Sequence, residues 1–268
     1  LKKTLLFLFF IGLSLQLFSQ KDSTKRKKSF YAMWGYNREA YTSSTLHFVN
    51  NGTGVDQYGT YDFKVHDVKA HDRPDFDQLY DVKNITIPQY NFRLGFWFNN
   101  KNDEGFELSY DHAKYVVTNY QTARFTGVIN GQTVDKDSVL NPAFFHFEHT
   151  DGANFWMINY MKRNKIFYSK KDKFKLSYVF KPGAGILIPR TDVTIFGNRV
   201  NNNFKVAGFC AGVETSLHVE MYKHFILELA AKGGYANYTN VFVYEKGNGR
   251  ASHQVGFLEG IFTFGYQF

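Results

Sequence analysis

The sequence predicts an all-β, antiparallel barrel of eight membrane-crossing strands, with short turns at one end and long loops at the other. Three observations predict it. From Phe30 onward the chain alternates apolar and polar residues with period two, and almost nowhere shows the 3.6 period of a helix. Aromatic residues make up 19% of the 268 positions, and with leucine they fall on one face of each alternating segment while full charges fall on the other. A soluble sandwich core would not bury those charges unpaired, whereas a barrel whose greasy face meets lipid turns them inward. The segments also reach ~10 residues or more, against the ~5 or 6 of ordinary strands. Beyond the first twenty residues no apolar run approaches the ~18 that a membrane-spanning helix needs, which excludes a helical membrane protein.

At the N-terminus, Lys2 and Lys3 precede an apolar stretch from Leu5 to Phe18 that ends in Ser19-Gln20. That is the pattern of a cleaved secretory leader over residues 1–20. Residues 21–28 carry the run Lys25-Arg26-Lys27-Lys28, which suits an anionic membrane surface or a solvated spacer. The formal charge of +8 falls to +2 without residues 1–28, so the barrel region, 29–268, is nearly neutral. Nucleic acid is a poor partner, because an exported chain meets little of it and the basic residues are not interleaved with stacking aromatics. The single cysteine, Cys210, permits no intramolecular disulfide and reads as a small core filler.

The eight strands are expected at about 29–48, 86–98, 104–119, 152–168, 173–190, 204–218, 224–240 and 254–268. In the second, Tyr90, Phe92, Leu94 and Phe96 alternate with Asn91, Arg93 and Gly95; in the third, Phe106, Leu108 and Tyr110 alternate with Glu107, Ser109 and Asp111. Phe174, Leu176, Tyr178 and Phe180 oppose Lys175, Ser177 and Lys181 in the fifth, and the seventh and eighth repeat the pattern. Short turns are expected at Asn99-Asn100-Lys101-Asn102-Asp103, Ser169-Lys170-Lys171-Asp172 and Met221-Tyr222-Lys223. The segments 49–85, 120–151, 191–203 and 241–253, rich in Asn, Gly, Asp and Thr, read as long loops, and loops of that length are usually functional or disordered.

The interior of an eight-stranded barrel is just wide enough for side chains to fill it. It would receive Arg93, Lys175, Lys181 and Lys232 with Glu107, Asp111, Glu214, Glu228 and Glu259, four positive charges against five negative. Near-balance implies ion pairs that plug the lumen in preference to an open pore. Gly95, Gly183, Gly185, Gly208 and Gly212 suit the crowded places where long charged side chains cross.

The leader, the alternation and the last strand, Gly256-Phe257-Leu258-Glu259-Gly260-Ile261-Phe262-Thr263-Phe264-Gly265-Tyr266-Gln267-Phe268, resemble a small bacterial outer-membrane β-barrel of the bacteroidete type. In such proteins an aromatic-rich last strand with terminal Phe is read by the barrel assembly machinery, a role the resemblance implies for Phe264, Tyr266 and Phe268. It implies outer-membrane lipid, that machinery and other outer-membrane proteins as partners, and an outer-membrane location.

Catalytic and metal chemistry find little support. In Val65-His66-Asp67-Val68-Lys69-Ala70-His71-Asp72 the histidines are five apart, off one face of either a strand or a helix, so no metal site is expected. A lipid A-modifying esterase would need a serine within reach of an oriented histidine. Ser252-His253 and Ser109/His112 are oddly spaced along strands and point apart, and the His-x-Ser pair that lipid A deacylases carry near the C-terminus is missing. No phosphate loop, nucleophile elbow or zinc motif is present. The expectation is a barrel with no catalytic residues and no cofactor, working through its surface loops or as a subunit of a larger outer-membrane complex. A small pore or transporter, then a lipid A-modifying enzyme, are the alternatives.

Overall fold

The computed structural model describes residues 29–52, 59–74, 88–98, 103–149, 151–170 and 173–268. The leader, the basic tail and parts of the turns near 99–102 and 171–172 lie outside the described residues. Among the described residues seventeen antiparallel strands form one hydrogen-bonded sheet and there is no α-helix.

Eight strands close a ring: β1 (Ser29–Tyr41), β5 (Tyr90–Trp97), β6 (Glu104–Asp111), β11 (Phe155–Tyr168), β12 (Phe174–Leu187), β15 (Gly208–Met221), β16 (Phe225–Phe242) and β17 (Arg250–Gln267). The register can be walked round the circumference. Trp34 of β1 opposes Phe92 of β5, Leu94 opposes Leu108 of β6, and Leu108 opposes Ile158 of β11. Ile158 then opposes Ala184 of β12, Phe180 opposes Thr215 of β15, and Leu217 opposes Leu229 of β16. Leu229 opposes Phe262 of β17, and Phe262 returns to Tyr36 of β1. Closure removes the free edges that an open sheet would expose. Because side chains alternate, one set faces outward and stays apolar: Leu94, Phe106, Leu108, Ile158, Phe180, Leu229, Leu258 and Phe264 are all exposed. Their neighbours in sequence, among them Arg93, Glu107, Lys181, Glu228 and Glu259, are buried inside.

Much of what is described of the segments read as long loops is strand instead: β3 (Tyr61–Val68), β4 (Ala70–His71), β8 (Thr122–Ile129), β9 (Gln132–Val139), β10 (Phe145–His149), β13 (Thr191–Ile195) and β14 (Asn198–Asn201), joined by β2 (Ser44–Asn50) and β7 (Tyr115–Val117) from the far ends of the first and third expected strands. These build a cap at the end of the ring away from Ser29 and Phe268. One branch continues from the upper part of β17 through β2, β3, β8 and β9; another runs β14, β13, β10, β7, β4 and joins β1. The turn residues that suggested open loops mark tight hairpins. Asn130-Gly131 between β8 and β9 and Phe196-Gly197 between β13 and β14 take the paired positive φ angles of two-residue hairpin connections. The first expected strand accordingly breaks after Tyr41, and the third ends at Asp111 before the short β7.

Two apolar cores bracket the charged belt. The cap core stacks Phe48 on Phe63 at 5.1 Å and sets Phe145 and Phe147 edge-on to Phe48 at 5.6 Å. A smaller cluster of Tyr31, Met33, Trp97, Met161, Val179, Ile226 and Ile261 fills the opposite end of the ring. Cys210 is buried in the cap-side core, where it packs as an apolar residue.

Candidate functional site

The belt between the two cores is built by cross-strand register. Lys181 lies opposite Glu214, Glu214 opposite Lys232, and Lys232 opposite Glu259, so four neighbouring strands present alternating signs in one row. Opposed charges at this spacing attract directly. Lys181 reaches Glu228 at 2.7 Å, Glu214 at 2.9 Å and Glu107 at 3.0 Å. Arg93 enters from β5 and holds Asp111 at 2.6 Å, Glu214 at 3.5 Å and Glu107 at 3.7 Å. Lys232 pairs with Asp111, with Glu259 at 3.3 Å and with Glu214 at 3.8 Å. Neutral groups complete the coordination: the Tyr31 hydroxyl donates to Glu107 at 2.6 Å, and Asn159 Nδ2 donates to Ser109 at 3.1 Å and to Glu107 at 3.3 Å. A methyl group on Gly95 would overlap the Tyr31 ring, which is why that strand carries glycine where the tyrosine crosses.

The structure thus brings together eight of the nine charges read from the sequence. The ninth, Lys175, sits one barrel level away and pairs with Glu220 at 2.7 Å, its partner across the β12–β15 register. Glu220 went unread because the sixth strand was ended at 218, whereas β15 runs to Met221. His218, whose Nδ1 lies 3.0 Å from Glu228, and Glu39, inward on β1, were also missed. For Glu39 the signal was present: Tyr31, Met33, Asn37 and Glu39 share one parity and are all buried.

His66 and His71 do not converge. His66 Nε2 meets the Thr126 hydroxyl at 2.7 Å, and His71 Nδ1 meets the Asp72 carbonyl at 2.7 Å. Among the described residues no three His, Cys, Asp or Glu side chains form a group that could hold a metal. The expectation that strand geometry keeps serine from histidine needs correction, because the contact forms between strands. Ser44 Oγ of β2 lies 3.3 Å from His253 Nδ1 of β17, and His253 Nε2 lies 3.1 Å from His149 Nε2 of β10. The pair belongs to the cap, beyond the apolar outer belt that begins at Leu258 on β17. Among the described residues no carboxylate orients this histidine, whose ring nitrogens meet Ser44 and His149. Burial pushes the His253 imidazole down to about 3, and burial with the neighbouring His253 holds His149 well below its ordinary value. A base so reluctant to take a proton is poorly matched to neutral-pH hydrolysis. Phe264, Tyr266 and Phe268 project from the outer face at the end of the ring remote from the cap.

Solved structures that resemble this arrangement are bacterial outer-membrane β-barrels. OprG from Pseudomonas aeruginosa is 10% identical, with 91% of this chain and 97% of that one covered and a TM-score of 0.40. Ail of Yersinia pestis, solved with the heparin analogue sucrose octasulfate, is 9% identical over 91% and 100% at a TM-score of 0.28. The outer membrane protease OmpT from Escherichia coli is 11% identical over 91% and 98% at 0.30. At such scores the likeness carries no weight beside the register itself. No family model matches the chain, and no curated protein does.

Proposed function

We propose that this chain is an exported outer-membrane barrel of the small bacteroidete type, crossing the membrane with the eight ring strands and acting without catalysis. The ring is its anchor and the cap its working surface, either for a ligand or as a contact in a larger outer-membrane complex. The observation that carries this reading is the opposition of faces in the closed ring: an apolar exterior fit for lipid surrounds an interior whose buried charges are paired. Phe264, Tyr266 and Phe268 serve as the assembly signal, and outer-membrane lipid covers the exterior.

A pore is disfavoured by ion pairs at 2.6 to 3.0 Å across the lumen, which leave no room for a hydrated ion. The enzyme alternative draws on the Ser44–His253 contact and is weakened by the histidine's buried, neutral state. The test combines location and task. The protein is expected to fractionate with the outer membrane and to migrate differently unheated and boiled. Replacing the β8–β9 hairpin by a short turn should leave both properties intact while abolishing cross-linking to neighbours in native membranes. Recovery in the soluble periplasmic fraction, or stable ohmic currents in planar bilayers, would overturn the reading.

A further inference from the structure

One branch of the cap ends at β9, and among the described residues β8 is the strand that pairs with it, which leaves its other edge free over eight residues. The Asn130-Gly131 turn closes on Ile129 and Gln132, opposed residues that exchange both backbone hydrogen bonds in a two-residue hairpin. Bonded pairs recur at every second residue, so Gln132, Val134, Lys136 and Ser138 turn their N–H and C=O groups toward β8. Thr133, Asp135 and Asp137 turn theirs outward. The Leu140 N–H, donating to the Gln121 carbonyl at 2.9 Å, continues the same parity. Such a row of outward donors and acceptors is a template for one more strand.

Beside this edge the aromatic core of the cap lies open. Phe125 packs edge-on against Phe145 at 5.7 Å, and Phe144 meets Phe196 at 5.8 Å. Between Phe125, Val134, Phe144 and Phe196 runs a largely apolar groove of about 400 Å³, with Phe144 exposed in its wall. Val134, Lys136 and Ser138 line the groove, whereas Thr133, Asp135 and Asp137 face solvent. On the solvent face Arg124 holds Asp135 with two hydrogen bonds, at 2.8 and 3.0 Å. Asp137, opposite Arg124 in register, has no ion pair among the described residues.

We propose that the free edge of β9 receives an extended segment of another polypeptide, which adds a strand to the cap and alternates aliphatic with basic residues. The proposal rests on the reading of the cap as the working surface and names the kind of partner it takes. Each feature fixes one property of the occupant. Outward N–H and C=O groups at every second residue bond an extended backbone and not a helix, whose own groups are spent internally. The groove takes aliphatic side chains at alternate positions, on the face shared with Val134. Asp135 and Asp137 favour Lys or Arg on the other face, and Lys136 in the groove repels a base there, which keeps the two faces distinct. A second copy of this chain is a poor occupant. In the two antiparallel registers that pair seven of the eight residues with another β9, Asp135 falls opposite Asp137 or opposite itself. The acids that keep copies apart are the ones that select a basic strand.

The experiment is calorimetric titration of a peptide of alternating Val and Lys, matched to the eight residues of β9, into the refolded chain in neutral detergent micelles. One saturable site per chain is expected. Thr133→Pro, which removes an outward N–H and no bond to β8, should weaken binding by at least about 5-fold while keeping heat-modifiable migration and a protease-resistant cap. The fully N-methylated peptide, which cannot donate from its backbone, should not bind, and it serves if Thr133→Pro disturbs the cap. A peptide of alternating Val and Glu should bind more weakly than the Lys peptide, and Asp137→Lys should narrow that difference. Absence of saturable binding at millimolar peptide, undiminished binding in Thr133→Pro with an intact cap or by the N-methylated peptide, or equal binding of the Glu peptide overturns the proposal. So does a dimer in micelles that Thr133→Pro dissolves, which would give the edge to a second copy. The titration needs only the folded chain, so recovery in the soluble periplasmic fraction would sink the outer-membrane reading and leave this result to stand or fall by itself.

Discussion

The ring and the cap use the same alternating strands but have opposite interiors. Within the ring, the inward positions are Arg93, Glu107, Lys181, Glu214 and Lys232, and the outward ones are Leu, Ile and Phe. Within the cap, the inward positions are Phe48, Phe63, Val65, Phe125 and Phe147, while Lys64, Arg124 and Asp135 face out. The two regions are hydrogen-bonded into one sheet, since β17 keeps β16 along one edge while its other edge passes from β1 of the ring to β2 of the cap. What changes is the solvent that the outer face meets: on the proposed reading lipid surrounds the ring and water surrounds the cap. The difference teaches that charge inside a small barrel is the complement of grease outside it, and that it is stable only when paired.

Breaking the comparison at its strongest point gives the largest effect. Lys181→Ala strands Glu107, Glu214 and Glu228 around a missing cation and should cost ~3 to 5 kcal/mol in reversible urea unfolding. A variant as stable as wild type would show the lumen to be wet. Phe63→Ala should cost a similar ~3 to 5 kcal/mol, but locally. Protease susceptibility of the cap should rise while the ring keeps its heat-modifiable migration, and simultaneous loss of both would mean that the regions do not fold separately. Leu94→Arg, at an exposed outward position of β5, should cost ~2 to 4 kcal/mol when measured in a bilayer, against less than about 0.5 for Val139→Arg on exposed β9. Equal tolerance at the two sites would remove the lipid from the explanation.

The smallest effect is a matter of pH and concerns the cap alone. His149 and His253 are buried against Ser44, Thr191, Tyr115, Tyr238 and Phe147. Their folded-state pKa values are depressed, His253 to about 3, so the folded cap binds fewer protons than the unfolded chain. Their neutral form thus favours the folded cap fully above pH ~6.5, and that contribution is lost as pH falls below it, for His253 over the window down to about 3. Proteolysis of the cap across this window should show the loss, and His253→Gln should flatten it. An unchanged slope in that variant would assign the acid sensitivity elsewhere.

Period two, the length of the segments and the sorting of charge from aromatic residues were legible along the chain, and they located all eight ring strands, because alternation is a local property of a strand. The inward parity of Arg93, Glu107, Lys181, Glu214, Lys232 and Glu259 was legible for the same reason. The cap was not, because Asn and Gly at two-residue hairpins look in sequence like Asn and Gly in open loops, and only strand pairing distinguishes them. Lys175 was assigned to the wrong partners because height along the barrel depends on register between strands, which a list of alternating residues does not contain. Ser44 meeting His253 and Glu39 facing Glu259 belong to the same category. By itself, the sequence determined which side chains face in and which face out. Only the tertiary structure decided which of them meet, because parity is set residue by residue along one strand, whereas contact is set by the stagger that closes the sheet into a ring.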